Sequence, residues 1–190
     1  MARVLGLDLS LRSTGVCVLD GELDMEPRKR SLTMKRDKTS SIKESIERLI
    51  SISDDINQII NDESPDIVVI EAPAKNQVWQ AANIGELHGV VKIRMFERFH
   101  IVPWVEQVTK LRKAVIGHIS SKREKTKKKD KEISKVSYGL IPGKRDGKFK
   151  KATVKDIVEL RLKERGLEFG SQDEVDAYIC AKYAWDKLKG

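Results

Sequence analysis

Carboxylates recur in this chain at places where a carboxylate is costly. In Val4-Leu5-Gly6-Leu7-Asp8-Leu9-Ser10 an acid stands between two leucines near the end of an apolar run. A carboxylate buried without a partner is strongly unfavourable, so Asp8 must meet a cation, a hydrogen-bond donor or a proton. It either caps the following turn through the amides of Ser10 or Ser13, or it faces a ligand. Asp66-Ile67-Val68-Val69-Ile70-Glu71 is a second apolar run that also ends in an acid. Near the C-terminus, Gln172-Asp173-Glu174-Val175-Asp176-Ala177-Tyr178 places three acids within four positions at a helix start. The helix dipole favours any one of them there. Glu174, three residues after Ser171, fits a capping box in which its carboxylate returns to the cap amide. Asp173 and Asp176, at i and i+3, lie on one helix face and can present two carboxylates to one point.

The second chemical signature is positive charge. The 190 residues carry a net charge of +8, with a pI near 9.4, which favours a polyanionic partner. Between Lys110 and Lys151 the local charge is +12, which leaves the rest of the chain at −4. Lys122, Arg123, Lys125, Lys127, Lys128, Lys129 and Lys131 crowd together there, and Pro142-Gly143 and Asp146-Gly147 break any periodicity, so the stretch 120–151 reads as loop. Such a block is either a solvated loop or a clamp on phosphates. His88, His100 and His118 have no mutual spacing that implies chemistry and read as surface or core residues. Cys17 and Cys180 stand far apart in apolar contexts, which argues for reduced core residues, and no zinc spacing occurs. With no secretory leader and no apolar run near 18 residues, the expectation is a soluble cytoplasmic protein with no membrane partner.

These groups need elements to position them. The apolar runs around Asp8 and around Val16-Cys17-Val18-Leu19 form a hairpin closed by Ser13-Thr14-Gly15, and Arg30–Lys35 alternates as a third, edge-like strand. Ser41 and Glu44 make a capping box opening a helix on Ile42, Ile46, Leu49, Ile56 and Ile60. The β-branched run at 67–71 marks a central parallel strand covered on both faces. Residues 77–98 form a long helix with one apolar stripe of Ile84, Leu87, Val91 and Met95 and a second side of Val90, Ile93 and Phe96. A short strand at 101–105, a helix at 107–118, a helix capped by Thr153 and ended by Gly166, and a last helix capped by Ser171 complete the order. Three strands followed by alternating helix and strand give an α/β fold with a mixed sheet and helices on its faces.

Gly6-Leu7-Asp8-Leu9-Ser10 with Ser13-Thr14-Gly15, Ile70-Glu71-Ala72-Pro73, and Asp173-x-x-Asp176-Ala177 resemble, in order and separation, the active-site motifs of the RuvC family of Holliday-junction resolvases. Lys110-Leu111-Arg112-Lys113-Ala114-Val115-Ile116-Gly117 is similar to the basic helix that precedes the last acids in that family. The resemblance implies a ribonuclease H-like five-stranded mixed sheet, with three antiparallel strands and two parallel ones. By position it implies that Asp8, Glu71, Asp173 and Asp176 are the catalytic and metal-binding acids. It also implies that Arg112 and Lys122 or Arg123 contact the phosphate backbone near the cut.

Converging carboxylates repel unless cations neutralise them, and hard oxygen donors suit Mg²⁺, with Mn²⁺ able to substitute. Two ions about 4 Å apart activate a water and stabilise the leaving 3′ oxygen in phosphodiester hydrolysis. Asp8 would bridge both, with Glu71 and Asp176 holding one each or sharing one. Lys110, Arg112, Lys113, Lys122, Arg123, Lys125, Lys127, Lys128 and Lys129 are the candidate DNA contacts. The expected activity is nicking of branched DNA, chiefly four-way junctions, with three-way junctions or forks as further substrates.

Two features depart from the bacterial pattern. No aromatic residue follows Glu71 until Trp79, and the basic insertion is longer, which looks more like the variable resolvases of bacteriophages. The chain reads as a single nuclease domain over 1–190 with a basic insertion at 120–151, acting as a homodimer through Val90, Ile93 and Phe96. The rival readings are a non-catalytic nucleic-acid-binding module and an actin-like or sugar-kinase-type ATPase. The latter fold needs a second phosphate loop that 190 residues do not hold.

Overall fold

The apolar runs pair as their patterns dictate. In the computed structural model, which describes residues 1–38, 41–73, 78–120, 122–128, 131–142 and 149–190, β1 (Ala2–Asp8), β2 (Ser13–Gly21) and β3 (Arg28–Lys35) form an antiparallel meander. The strand β4 (Ile67–Glu71) lies parallel to β1 and pairs with β5 (Trp104–Glu106), giving the order β3-β2-β1-β4-β5. Three antiparallel strands and two parallel ones are therefore present as expected. The register Leu7↔Ile70 brings the ends of β1 and β4 side by side, and with them Asp8 and Glu71.

One face of the sheet carries Leu5, Leu7, Leu9, Val16, Val18, Val68 and Ile70. It is covered by α1 (Ile42–Glu63) and α2 (Val78–Phe99) through Ile52, Ile56, Ile60, Leu87, Val91 and Met95. The capping box of Ser41 and Glu44 opens α1, and Ser64 in a left-handed conformation closes it. The core stripe of α1 differs from its sequence period at one end. Ile42 and Ile46 belong to the period but are exposed, because the first turns run beyond the sheet. On α2 the second apolar side is open: Ile93 is 58% and Phe96 54% exposed.

The opposite face is covered by α5 (Gln172–Leu188), whose residues Val175 to Ala181 are all buried. Two glycines let the helix settle directly on the strands. A Cβ on Gly6 would lie 2.1 Å from the Ala177 carbonyl oxygen, and one on Gly15 would lie 2.0 Å from that of Asp173. A glycine inside an apolar strand is the sequence mark of such an approach.

The chain divides into two compact units, Met1–Val115 with Phe169–Gly190, and Ile116–Glu168. The second unit corrects the loop expected over 120–151. Its backbone forms an antiparallel hairpin of β6 (Lys122–Lys128) and β7 (Lys131–Ser137), then a short pair of β8 (Leu140–Pro142) and β9 (Phe149–Lys151). The helix α4 (Val154–Glu164) follows, with a capping box from Thr153 and Asp156. Arg161 of α4 donates to the carbonyls of Ile116 and His118 at 2.8 and 3.1 Å, tying the two ends of the unit together.

Candidate active site

Alternation along the strands decides which side chains meet. Gly6 touches α5, so Asp8, two residues on, points to the same face, and so does Glu71 at the end of the neighbouring strand. From above, α5 brings Asp173 and Asp176. The buried Cys180 thiol, one turn further along α5, registers the result. It is pushed well above its ordinary pKa by burial first, then by the negative charges of Glu71, Asp8 and Asp176. Asp8, Glu71 and Asp176 thus lie on the α5 side of the sheet, near enough for their charge to reach this thiol.

Each helical acid has a definite contact. Asp173 accepts from the Ser13 hydroxyl at the start of β2. Asp176 is only 2% exposed and accepts from Arg112 Nη2 at 2.7 Å. Arg112 comes from α3 (Val108–Ile116), and its own Nε is buried without a partner among the described residues. Its guanidinium therefore keeps donor capacity beside the acids. The sequence resemblance gives Arg112 a DNA phosphate near the cut, and the structure bonds one of its nitrogens to Asp176.

Two residues behave differently from the sequence expectation. Glu174 does not close a capping box with the cap amide. Ser171 accepts from its N–H at 3.2 Å, but its carboxylate accepts from Ser31 and Thr33 of β3 at 2.9 and 3.3 Å and from the Gly170 amide at 3.2 Å. It pins the edge strand to α5. Glu106, unnoticed in the sequence, pairs in register with Glu71 and accepts from Lys110 Nζ at 2.5 Å and from the Tyr183 hydroxyl at 3.2 Å. Its signal is again an acid at a strand end, in a strand only three residues long.

Carboxylates from β1, β4 and α5 are donors that suit a hard divalent cation, and Arg112 is bonded to Asp176. Among the described residues no group of three or more ligand-type side chains is close enough to hold an ion as it stands. Asp176 is turned to Arg112 and Asp173 to Ser13.

Lys110 and Lys113 are exposed on α3, with Lys110 held by Glu106. Lys122, Arg123, Lys125, Lys127 and Lys128 lie on β6, where only the backbone is described, and Lys129 and residues 74–77 lie outside the described residues. The side chain of Trp79 is likewise outside them. His88 is buried, and burial followed by the charge of Lys92 lowers its pKa to about 4, while His100 and His118 are exposed. None of the three joins the acids.

The family model for crossover junction endodeoxyribonuclease RuvC matches residues 4–143. The chain belongs to the RuvC family. The match spans Asp8 and Glu71 and stops before Asp173 and Asp176. Among solved structures, Thermus thermophilus RuvC in complex with a Holliday junction substrate is similar with a TM-score of 0.68 and 16% identity, over 100% of this chain and 96% of that one. Thermus thermophilus RuvC by itself gives 0.65 and 18%, over 98% and 95%. At these identities the likeness establishes the ribonuclease H-like fold. Comparison of the sequence with curated proteins gives no match. Members of this family are metal-dependent, generally Mg²⁺-dependent, nucleases that resolve DNA junctions.

Proposed function

We propose that this chain nicks branched DNA, chiefly four-way junctions, by hydrolysis at the site of Asp8, Glu71, Asp173 and Asp176. The observation that carries the reading is the register Leu7↔Ile70, which sets Asp8 and Glu71 at neighbouring strand ends on the face covered by α5, the helix that carries Asp173 and Asp176. Asp8, at the end of β1 beside the Glu71 end of β4, would hold Mg²⁺ or Mn²⁺ together with Glu71 and Asp176, two ions per site in this reading. Such ions supply an activated water and positive charge beside the leaving 3′ oxygen. The chain's own residues orient the parts. Ser13 holds Asp173 in place. Arg112 neutralises Asp176 and has donors left for a phosphate oxygen.

Residues 1–190 form one nuclease domain in this reading, and the basic insertion at 120–151, inside the second compact unit, supplies phosphate affinity. The regular backbone pairing of β6 with β7 supports this role over that of an idle loop. Replacing Lys125, Lys127 and Lys128 by Gln should lower the salt slope of junction binding by about 0.9 unit per lost contact. An unchanged slope would remove the hairpin from the interface. The long insertion and the missing aromatic directly after Glu71 support a bacteriophage-type resolvase acting in the cytoplasm of a bacterial host, on three-way junctions or forks as well.

The open side of α2 supports a homodimer. Ile93 lines a groove with Ile42, Ile46 and Val90 from α1 and α2, and α5 packs on the other face of the sheet, where it cannot cover this patch. Soluble proteins seldom leave such a patch unpartnered, and a four-way junction needs two matched nicks, which an isologous dimer provides. Gly85 and Gly89 have open space above them and permit close approach. In sedimentation, Ile93→Glu should give a folded monomer that nicks without concerted resolution; a monomeric wild type would contradict the dimer. The activity itself is tested by incubating the protein with synthetic four-way, three-way and linear DNA, with Mg²⁺, with Mn²⁺ or with a chelator. Metal-dependent cutting of the branched substrates is expected, and its absence overturns the reading.

A further inference from the structure

The same sheet edge that carries the acids continues into a basic cleft that the acids do not explain. It is lined by Arg12, Ser13, Lys35, Arg36 and Asp37, in the turn between β1 and β2 and at the end of β3. The register Ser13↔Lys35 sets Lys35 beside Ser13. Ser31 and Thr33 point to α5, so by alternation Lys35 points to that face too, the face of Ser13 and Asp173. One wall of the cleft is thus the serine that holds a candidate catalytic acid.

The cleft is built rather than incidental. Thr14 Oγ1 donates to the Ser10 carbonyl at 2.7 Å and accepts from the Ser10 amide at 3.2 Å, which fixes the turn that presents Arg12. The Arg36 amide donates to the Arg12 carbonyl at 2.8 Å. From α1, Arg48 donates to the carbonyls of Leu11 and Asp37 at 3.2 and 3.3 Å and braces both rims. Arg36 is spent on Asp55. Arg12 and Lys35 are exposed, and neither side chain has an acidic partner among the described residues. Two cations held on a braced frame, beside a site for phosphodiesters, call for an anion.

We infer that Arg12 and Lys35 form a phosphate subsite for the cleaved DNA strand, engaging a backbone phosphate that flanks the scissile one on the β2–β3 side of Asp8. This rests on the nuclease reading above. Two strand spacings, about 10 Å, separate β1 from β3. That span lets the subsite hold a neighbouring phosphate while the acids hold the reacting one. Arg12 supplies a fork of donors that fits two phosphate oxygens, and Lys35 a point charge. Together they fix the direction in which the strand crosses the acids.

The test uses the full chain, a synthetic four-way junction and a chelator to separate binding from cleavage. Arg12→Gln with Lys35→Gln should lower the salt slope of binding by about two units. It should also slow single-turnover cleavage in Mg²⁺, and Arg12→Lys with Lys35→Arg should restore much of both. Lys187→Gln, at the far end of α5, should change neither. A neutral methylphosphonate placed in turn at each phosphate flanking the cut should weaken wild-type binding at one position, and the double variant should be insensitive at that position. A double variant with the parent slope, or one as sensitive as wild type at every position, overturns the subsite. Wild type that fails to cut any junction instead overturns the nuclease reading, so the two failures are distinct.

Discussion

The two ends of the central sheet both gather acids, and they treat them in opposite ways. At the end away from the turn between β1 and β2, Asp20 is buried among three arginines. Arg28 Nε and Arg30 Nη1 each lie 3.0 Å from its oxygens, and Arg3 Nη2 lies at 3.7 Å. Arg30 also reaches Glu63 at 2.5 Å, so the corner is a closed network. At the other end Asp8 and Glu71 stand at neighbouring strand ends on the face covered by α5, and Asp176 of that helix is bonded to Arg112. A buried carboxylate is structural where the fold supplies its cations. Where carboxylates outnumber the cations, the remaining charge is an invitation to a metal.

The largest stability effect should fall at the balanced end. Asp20→Asn leaves three arginines around a neutral amide and should cost about 2 kcal/mol, the value for a broken buried pair discounted for the partly exposed arginines. Junction cleavage by the folded protein should be unchanged. Urea melts and a cleavage assay on one preparation check both, and lost cleavage with intact stability would erase the contrast between the ends.

A smaller effect sharpens the comparison through pH. Burial alone would raise the Asp20 carboxyl, but hydrogen bonds and charge from Arg30 and Arg28 outweigh it and hold it below the ordinary value. A carboxyl depressed in the folded state stabilises above its unfolded pKa of about 3.9, and the contribution is lost as pH falls through the lower folded value. Between pH 5 and pH 3 the wild type should therefore lose more stability than Asp20→Asn. Equal losses would show that the network does not control acid stability.

Much of the frame is legible in the sequence because its signals are local. The capping box at Ser41, the caps at Thr153 and Ser171, the helical period of α2, and the apolar runs ending in Asp8 and Glu71 all read directly. What does not read is register. Glu174 looks like a capping residue until the pairing of β2 with β3 places Ser31 and Thr33 beneath it. Glu106 and Ser13 likewise become site residues only once strands are paired. Gly6 and Gly15 carry a signal that points to close approach, but the helix that approaches lies more than 150 positions away. The β6–β7 hairpin escapes because period-2 reading depends on an apolar face, and Lys122–Lys128 has no apolar residue.

Asp8→Asn tests the central claim most directly, since Asp8 belongs to the unbalanced end. Junction cleavage in Mg²⁺ is measured beside junction binding in chelator and thermal stability without metal. Cleavage should be abolished while binding stays within about twofold and stability falls by less than in Asp20→Asn, because the change removes one negative charge from the strand end next to Glu71. A variant that still cuts in Mg²⁺, or one whose fold collapses as Asp20→Asn weakens it, would contradict the division of the sheet into a structural end and a catalytic one.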